Sequence, residues 1–122
     1  MYDKLLPFNV ADLILGQYNR YHNRYRGINK SAKFYFESRD WKGLQAAQQE
    51  RLTLYREAVG KLPLKLTELL KDKDLLKDRD MWREAKKMYE ESVLNLYYKD
   101  IAETFFNSVY RHVHKGLSVD RG

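Results

Sequence analysis

Apolar side chains recur at steps of three or four residues through the first third of the chain, and this spacing constrains the fold more than any other feature. The series consists of Val10, Ile14, Tyr18, Tyr21, Tyr25, Ile28, Ala32 and Phe36. Side chains at such steps share one face of an α-helix, whereas a half-buried strand requires strict alternation. We therefore predict one long helix from about Asn9 to Ser38, with Asn9 as its N-cap.

A second helical pattern follows the turn sequence SRDWKG, and Asp40 is expected to cap the helix that it starts. The side chains predicted to point inward are again those at steps of three and four, namely Trp41, Leu44, Gln48, Leu52, Tyr55 and Val59. Because a short turn joins the two helices, we expect them to fold back on each other as an antiparallel hairpin. Pro63 is expected either to kink the second helix or to restart it.

The second half of the chain predicts two further helices after a charge-dense connector. The connector, KDKDLLKDRD, spans residues 71–80 and is expected to be a solvated loop or an exposed helix end. The third helix is predicted to bury Met81, Trp82, Ala85, Met88, Tyr89, Val93 and Leu96. After a turn around Tyr98 to Asp100, the last helix contains IAETFFNSVYRH, residues 101–112, and ends near Gly116. With no strand pattern, we predict an all-α antiparallel bundle of four or five helices with a long N-terminal helical hairpin, as one domain over residues 1–122.

The last helix is predicted to be apolar on two sides. One stripe contains Ile101, Phe105 and Val109, and a second stripe, about 100° further round, contains Ala102, Phe106 and Tyr110. Burying one aromatic ring is worth roughly 2–3 kcal/mol, so an exposed stripe would waste a favourable contact. Either this helix is central in the bundle, or one of its sides docks on a partner.

Several classes of function are disfavoured by residues that the sequence lacks or spaces widely. There is no cysteine, which excludes disulfides, thiolate zinc sites and a cysteine nucleophile. The glycines stand singly, so no glycine-rich loop can hold a phosphate, and His22, His112 and His114 lack the spacing of a zinc site and are interpreted as surface or interface residues. No apolar run approaches the roughly 18 residues of a membrane span. We therefore predict no catalytic or metal-binding residues and a soluble protein that is not exported.

Basic residues on the first helix form the one candidate binding surface that charge indicates. Lys and Arg number 23 against 17 Asp and Glu, for a formal net charge of +6. In YNRYHNRYRGINKSAK, residues 18–33, tyrosines belong to the inward stripe while Arg20, Arg24 and Lys30 lie on the other side. We interpret this basic face as solvated; the alternatives are binding of nucleic acid or another polyanion, and contact with an acidic partner.

Two blocks of sequence resemble a known family of bacterial enzymes. IAETFFNSVY, residues 101–110, and FESRDWKGLQ, residues 36–45, are similar to blocks near the N-terminus of isocitrate dehydrogenase kinase/phosphatase. Arg51, Tyr55 and Val59 follow at the family's spacing, and the resemblance extends over residues 13–112. The chain departs from the family over residues 17–19, where Gln-Tyr-Asn replaces the usual Gly-Phe-Asp, and over residues 61–80.

The resemblance implies a regulatory, non-catalytic helical segment. In the intact parent enzyme of that family, a kinase-like domain outside these 122 residues uses ATP and magnesium to phosphorylate isocitrate dehydrogenase on serine, and the same enzyme removes the phosphate. It thereby controls flow between the tricarboxylic acid cycle and the glyoxylate bypass in the cytoplasm, with AMP as an effector. No cofactor is expected in this chain. Its expected partner is the remainder of the parent enzyme or a second copy, rather than nucleic acid or a membrane.

A docking surface is predicted when the resemblance is combined with the two-sided last helix. Phe105 or Phe106, together with Asn107 and Tyr110, is predicted to pack against the remainder of the parent enzyme. Two alternatives belong to other classes of function. One is a stand-alone basic helical module that binds nucleic acid or another acidic partner, and the other is a structural homo-oligomer that covers the second aromatic side with its own second copy.

Overall fold

The computed structural model describes residues 5–69 and 73–119, and within these ranges the chain is helical throughout except for short connections. Its elements in chain order are α1 (Leu5–Glu37), α2 (Trp41–Leu69), a 3₁₀ helix (Lys73–Lys77), α3 (Arg79–Val93) and α4 (Lys99–Val119). The described ranges contain no strand. The predicted all-α fold with a long N-terminal hairpin is therefore confirmed, while the single domain over residues 1–122 stays a prediction.

The four α-helices pack in a ring. α1 packs against α2 and α3, while α4 packs against α2 and α3 on the other side and also touches α1 and the 3₁₀ helix. Short connections link α1 to α2 and α3 to α4, so the members of each pair run in opposite directions. α4 consequently has neighbours around much of its circumference.

α1 begins one turn earlier than the sequence predicts. It starts at Leu5, so Asn9 lies inside the helix and the predicted N-cap is wrong. Pro7 occupies the first turn, where a backbone N–H would have no helical partner in any case, and it is buried there. The proline therefore extends α1 instead of delaying its start.

The turn between α1 and α2 follows the predicted chemistry. Arg39 has a φ of 56°, a left-handed conformation of the kind that ends helices, and the Asp40 backbone N–H donates to the Tyr35 carbonyl at 2.8 Å. The Asp40 carboxylate then accepts from the backbone N–H of Gly43 at 3.0 Å, so its predicted role as a cap is confirmed. A Cβ at Gly43 would lie 2.5 Å from the Tyr35 ring, so only glycine lets the ring pack there.

α2 continues as one helix through Pro63 to Leu69. The predicted restart is therefore wrong. A proline in a helix interior costs about 3 kcal/mol, because a hydrogen bond is lost and the ring meets the preceding turn. Leu62 and Leu66 beside it are both fully buried, and packing of two such side chains is worth roughly 3–6 kcal/mol, which offsets that cost.

The core is divided into a large cluster and a small one. The large cluster joins all four α-helices and the 3₁₀ helix, and its largest fully buried side chains are Val10, Ile14, Tyr18, Leu62, Leu66, Met81, Tyr89, Val93, Phe105 and Val109. The small cluster lies between α1 and α2 alone and contains Ile28, Ala32, Ala47 and Leu54. The far end of the hairpin is thus only two helices thick.

This thin end explains where the predicted inward stripes fail. Phe36 and Trp41 are 60% and 58% exposed, and their rings contact each other at the surface with centroids 6.1 Å apart. Gln48 and Leu52 are also exposed, while Ala47 and Leu54 are buried in their place. Within residues 5–69 and 73–119 no third helix covers this end, so the seam between α1 and α2 is the part shielded from water there, and those four inward predictions are wrong.

The charged connector is more ordered than predicted. Leu76 in the 3₁₀ helix is 3% exposed, and its carbonyl accepts the indole N–H of Trp82 at 2.6 Å. The Asp78 carboxylate caps α3 by accepting from the backbone N–H groups of Asp80 and Met81. The prediction of a solvated connector is therefore wrong at Leu76, and its residues 71 and 72 lie outside the described residues.

The predicted inward faces of α3 and α4 are largely confirmed. Met81, Trp82, Ala85, Tyr89 and Val93 are buried, and Met88 and Leu96 are partly buried against them. The buried Tyr89 hydroxyl donates to the Ala102 carbonyl at 2.7 Å and links the two helices. α4 extends past the predicted end at Gly116 to Val119.

Candidate functional surfaces

The two phenylalanines of the predicted docking surface are both enclosed by this chain. Phe105 is 1% exposed, and its ring lies 5.3 Å from that of Tyr18 and 5.7 Å from that of Tyr21 between centroids. Phe106 is 2% exposed and contacts the rings of Trp82 and Tyr89 at 6.0 and 4.9 Å. This chain covers almost all of both rings, and Phe106 contributes only its small remaining surface to the lining of a cleft, so the prediction that either ring is an open docking face is wrong.

Phe105 and Phe106 are both enclosed because α4 is central in the bundle. Phe105 turns toward α1 while Phe106 turns toward α3, and together they fill a wide apolar arc. The alternative interpretation of the two-sided helix, a helix central in the bundle, is the one that the structure supports. The same burial removes the reason for expecting a second copy of the chain to cover these two rings. Ile101, predicted to share a stripe with Phe105, is instead about half exposed.

Asn107 and Tyr110, the other predicted docking residues, are half-buried and line a cleft between α3 and α4. The cleft has a volume of about 390 Å³, and its remaining lining residues are Arg79, Trp82, Arg83, Lys86 and Phe106. Arg83 lies 3.9 Å from the Asp80 carboxylate, and Lys86 lies 3.8 Å from that of Glu90. Two of the three cations thus already face carboxylates, and docking through Asn107 and Tyr110 stays a prediction.

Two of the three residues of the predicted basic surface lie together in the structure. Arg20 and Arg24 line a groove of about 430 Å³ between α1 and α2, and Lys61 and Lys65 of α2 line the same groove. Lys30 is not among its lining residues. Sequence reasoning missed the two lysines, although their separation by four residues places them on one face of a helix. The groove is therefore a basic site built from both helices, not a stripe on α1 alone.

His22 is buried against residues of this chain, so its interpretation as a surface or interface residue is wrong. Its ring stacks on that of Tyr98 with centroids 3.8 Å apart, and the Tyr18 hydroxyl lies 3.4 Å from its Nδ1. Burial lowers the pKa of His22, and the nearby positive charge of Arg26 lowers this pKa further. Burial also raises the pKa of Tyr18, so both groups are neutral at pH 7.

The depressed pKa of His22 predicts an acid-sensitive core. In the unfolded chain this histidine titrates near 6.5, above its pKa in the folded state. Its stabilising effect is therefore complete above that pH and is lost as the pH falls through the folded-state value, because the unfolded chain binds the proton more readily. We expect the free energy of unfolding, from urea titrations, to fall between pH 7.5 and 5.5.

His22→Phe is expected to remove most of this pH dependence, whereas His112→Gln, at an exposed histidine, is expected to preserve it. An equal slope in the His22→Phe and unmodified chains would show that another group is responsible.

Within residues 5–69 and 73–119, no group of three or more His, Asp or Glu side chains converges to hold a metal ion. Over that part of the chain, no helix combines the length and apolar character needed to cross a bilayer.

Comparison with known proteins assigns the family. The profile of the isocitrate dehydrogenase kinase/phosphatase (AceK) regulatory domain matches residues 11–122. A protein named isocitrate dehydrogenase kinase/phosphatase from Polaromonas sp. strain JS666 is 32% identical over 107 residues, which are 88% of this chain and 17% of that protein. One of the same name from Cupriavidus necator is 33% identical over 104 residues, or 85% of this chain and 17% of the relative. The chain thus spans about a sixth of these relatives' length, and it belongs to the family of the isocitrate dehydrogenase kinase/phosphatase regulatory domain.

Proposed function

We propose that this chain acts as a non-catalytic regulatory segment of an isocitrate dehydrogenase kinase/phosphatase. The observation that carries the proposal is the match to the family's regulatory domain, which leaves only the first ten residues unmatched. The structure is compatible with such a role, because the helices enclose a core of their own and can present fixed surfaces to a neighbouring domain.

The activity of the intact protein is part of the same proposal. The relatives' name describes a kinase and phosphatase of isocitrate dehydrogenase. We propose that the intact protein adds a phosphate to a serine of isocitrate dehydrogenase and removes it, in the cytoplasm, and so sets flow between the tricarboxylic acid cycle and the glyoxylate bypass. ATP and magnesium would be bound by the kinase-like part of the protein, and AMP would act as effector. This chain would supply structure and regulation, not reacting groups.

A chimera tests the regulatory role. The matching 104 residues of the Cupriavidus necator relative are replaced by this chain, and phosphorylation and dephosphorylation of isocitrate dehydrogenase are both assayed. We expect the chimera to keep both activities within about tenfold of the relative, a loss of no more than about 1.4 kcal/mol in transition-state stabilisation. A relative from which the segment is deleted is expected to lose the response of these activities to AMP.

A folded chimera that behaves like the deletion variant would contradict the regulatory role. The non-catalytic part of the proposal has its own test, in which this chain alone is incubated with radiolabelled ATP, magnesium and isocitrate dehydrogenase. Transfer of label by the chain alone would overturn it.

A further inference from the structure

The outer side of the α1–α2 hairpin carries a continuous groove. Three adjoining hollows lie along the seam between the helices. The middle one is the basic groove between α1 and α2 described above; it shares Lys65 with the hollow near the start of α1 and Arg24 with the hollow further along α1. On α1 the lining positions include 13, 17, 20, 24, 27 and 31, and on α2 they include 69, 65, 61, 58, 54 and 50. Both series advance by three or four residues, so each follows one face of its helix. Among the described lining residues none comes from α3 or α4, so the groove lies on the side of the hairpin opposite those two helices.

The middle of the groove is strongly basic. Arg20, Arg24, Lys61 and Lys65 line it, and among the lining residues that the structure describes Glu57 is the one carboxylate. None of these four cations lies within 4.0 Å of a carboxylate oxygen in the described parts of the chain, whereas Lys33, Arg83 and Lys86 each do. Four like charges along one groove attract a complementary anionic surface and raise its rate of association.

Carboxylates line both ends of the groove and offset the cations there, Lys65 at one end and Arg24 at the other. Asp12 and Glu68 line the end near the start of α1, and Glu50 lines the other end. Single-stranded nucleic acid presents a phosphate about every 3.4 Å, so a strand along the groove would bring phosphates against these carboxylates. A polypeptide can instead place its acidic side chains in the middle only. The charge pattern therefore favours a polypeptide over a polyanion.

The groove also offers apolar surface and a suitable length. Leu13, Tyr21, Leu54 and Ala58 contribute to its lining. Its α1 side runs from residue 9 to residue 31, which is roughly 33 Å at 1.5 Å per residue and equals a helix of about 22 residues. An amphipathic helix that binds in such a groove buries its apolar face, and the charged residues on either side of that face contact the charged residues that line the groove.

We propose that this groove binds an acidic amphipathic helix of another polypeptide segment, with its central carboxylates against Arg20, Arg24, Lys61 and Lys65. The apolar stripe of the bound helix packs between α1 and α2, against the partly exposed side chains of Leu13, Tyr21 and Ala58. The proposal depends on the groove's charges and shape and does not rest on the proposed regulatory function.

The test uses the whole chain and a fluorescein-labelled 22-residue helical peptide with one leucine stripe and four central glutamates, titrated by fluorescence anisotropy. Arg20→Glu combined with Lys61→Glu is expected to weaken binding at least about tenfold, because two attractions become repulsions. The matched control combines Lys87→Glu with Arg111→Glu, two exposed residues on α3 and α4 that do not line the groove. This control variant changes the net charge by the same amount as the groove variant, and we expect it to weaken peptide binding less than about twofold. Thermal melts establish that both variants are folded; if the first is not, Arg20→Gln with Lys61→Gln replaces it, and Lys87→Gln with Arg111→Gln becomes its control.

Three results would overturn the proposal. Equal weakening by both charge variants would show that binding follows net charge alone. Failure of the peptide to saturate the chain at about 1 mM would show that the groove has no useful affinity for such a helix. Tighter binding of a 20-nucleotide single-stranded DNA than of the peptide, lost in the groove variant, would identify a polyanion site instead.

Discussion

Replacing Phe106 by alanine is expected to lower the free energy of unfolding by about 3–5 kcal/mol, and Phe105→Ala is expected to have an effect of the same size. Each ring is almost completely buried and contacts two other aromatic rings, so truncation loses apolar burial and leaves a cavity. Urea titrations followed by circular dichroism measure the change. Where alanine leaves too little folded protein, Phe106→Leu is expected to show a smaller loss in the same direction.

Phe34→Ala is the matched control for both phenylalanines. Phe34 is 66% exposed on the thin end of the hairpin, so its truncation is expected to change the free energy of unfolding by less than about 0.5 kcal/mol. If Phe106→Ala cost no more than Phe34→Ala, the Phe106 ring would not be enclosed by this chain in solution, and docking on a partner would again be the better explanation of the two-sided helix.

Trp82→Ala is expected to cost about 3–5 kcal/mol as well, because the indole is central to the contact of α3 with α4 and the 3₁₀ helix. It is 2% exposed, it meets the rings of Phe106 and Tyr110 edge to face, and its N–H donates to the buried Leu76 carbonyl. Trp82→Phe keeps most of the volume but leaves that carbonyl without its indole partner. Its expected cost is about 1–3 kcal/mol.

Trp41 provides the comparison for Trp82, since the chain has only these two tryptophans. Trp41 is largely exposed, so Trp41→Phe is expected to leave the urea midpoint almost unchanged while removing the fluorescence of a solvated indole. The remaining emission, from Trp82, is expected to be blue-shifted in the folded chain and to shift red on unfolding. Equal loss of stability in Trp41→Phe and Trp82→Phe would contradict the packing described for α3.

Helical periodicity predicts the elements of this chain better than it predicts their buried faces. On α3 the predicted stripe is the buried one, because three other elements pack against that helix. On α2 the same rule selected Trp41 and Leu52, which are exposed, because spacing within a helix does not reveal how many neighbours cover each of its ends. The two-helix thickness of the hairpin end is a tertiary property and follows from the shorter lengths of α3 and α4.

The candidate surfaces show the same limit. The wide apolar arc of α4 is readable in IAETFFNSVY, but whether a partner or the chain itself covers Phe105 and Phe106 depends on where α1 and α3 lie. Arg20 and Arg24 can be assigned to one face of α1 from their spacing. Lys61 and Lys65 join them only through the antiparallel register of the hairpin, which composition does not specify. The family resemblance, by contrast, required no geometry and is confirmed by the match over residues 11–122.

Native-state hydrogen exchange of the α4 amides in the isolated chain tests most directly whether this single chain encloses its own core. Measured by NMR at two protein concentrations about tenfold apart, the amides of Phe105, Phe106 and Val109 are expected to exchange only through openings close in free energy to global unfolding. Their protection is expected to be the same at both concentrations. Fast exchange in the isolated chain, or protection that increases with concentration, would show that a partner, not this bundle, covers the helix.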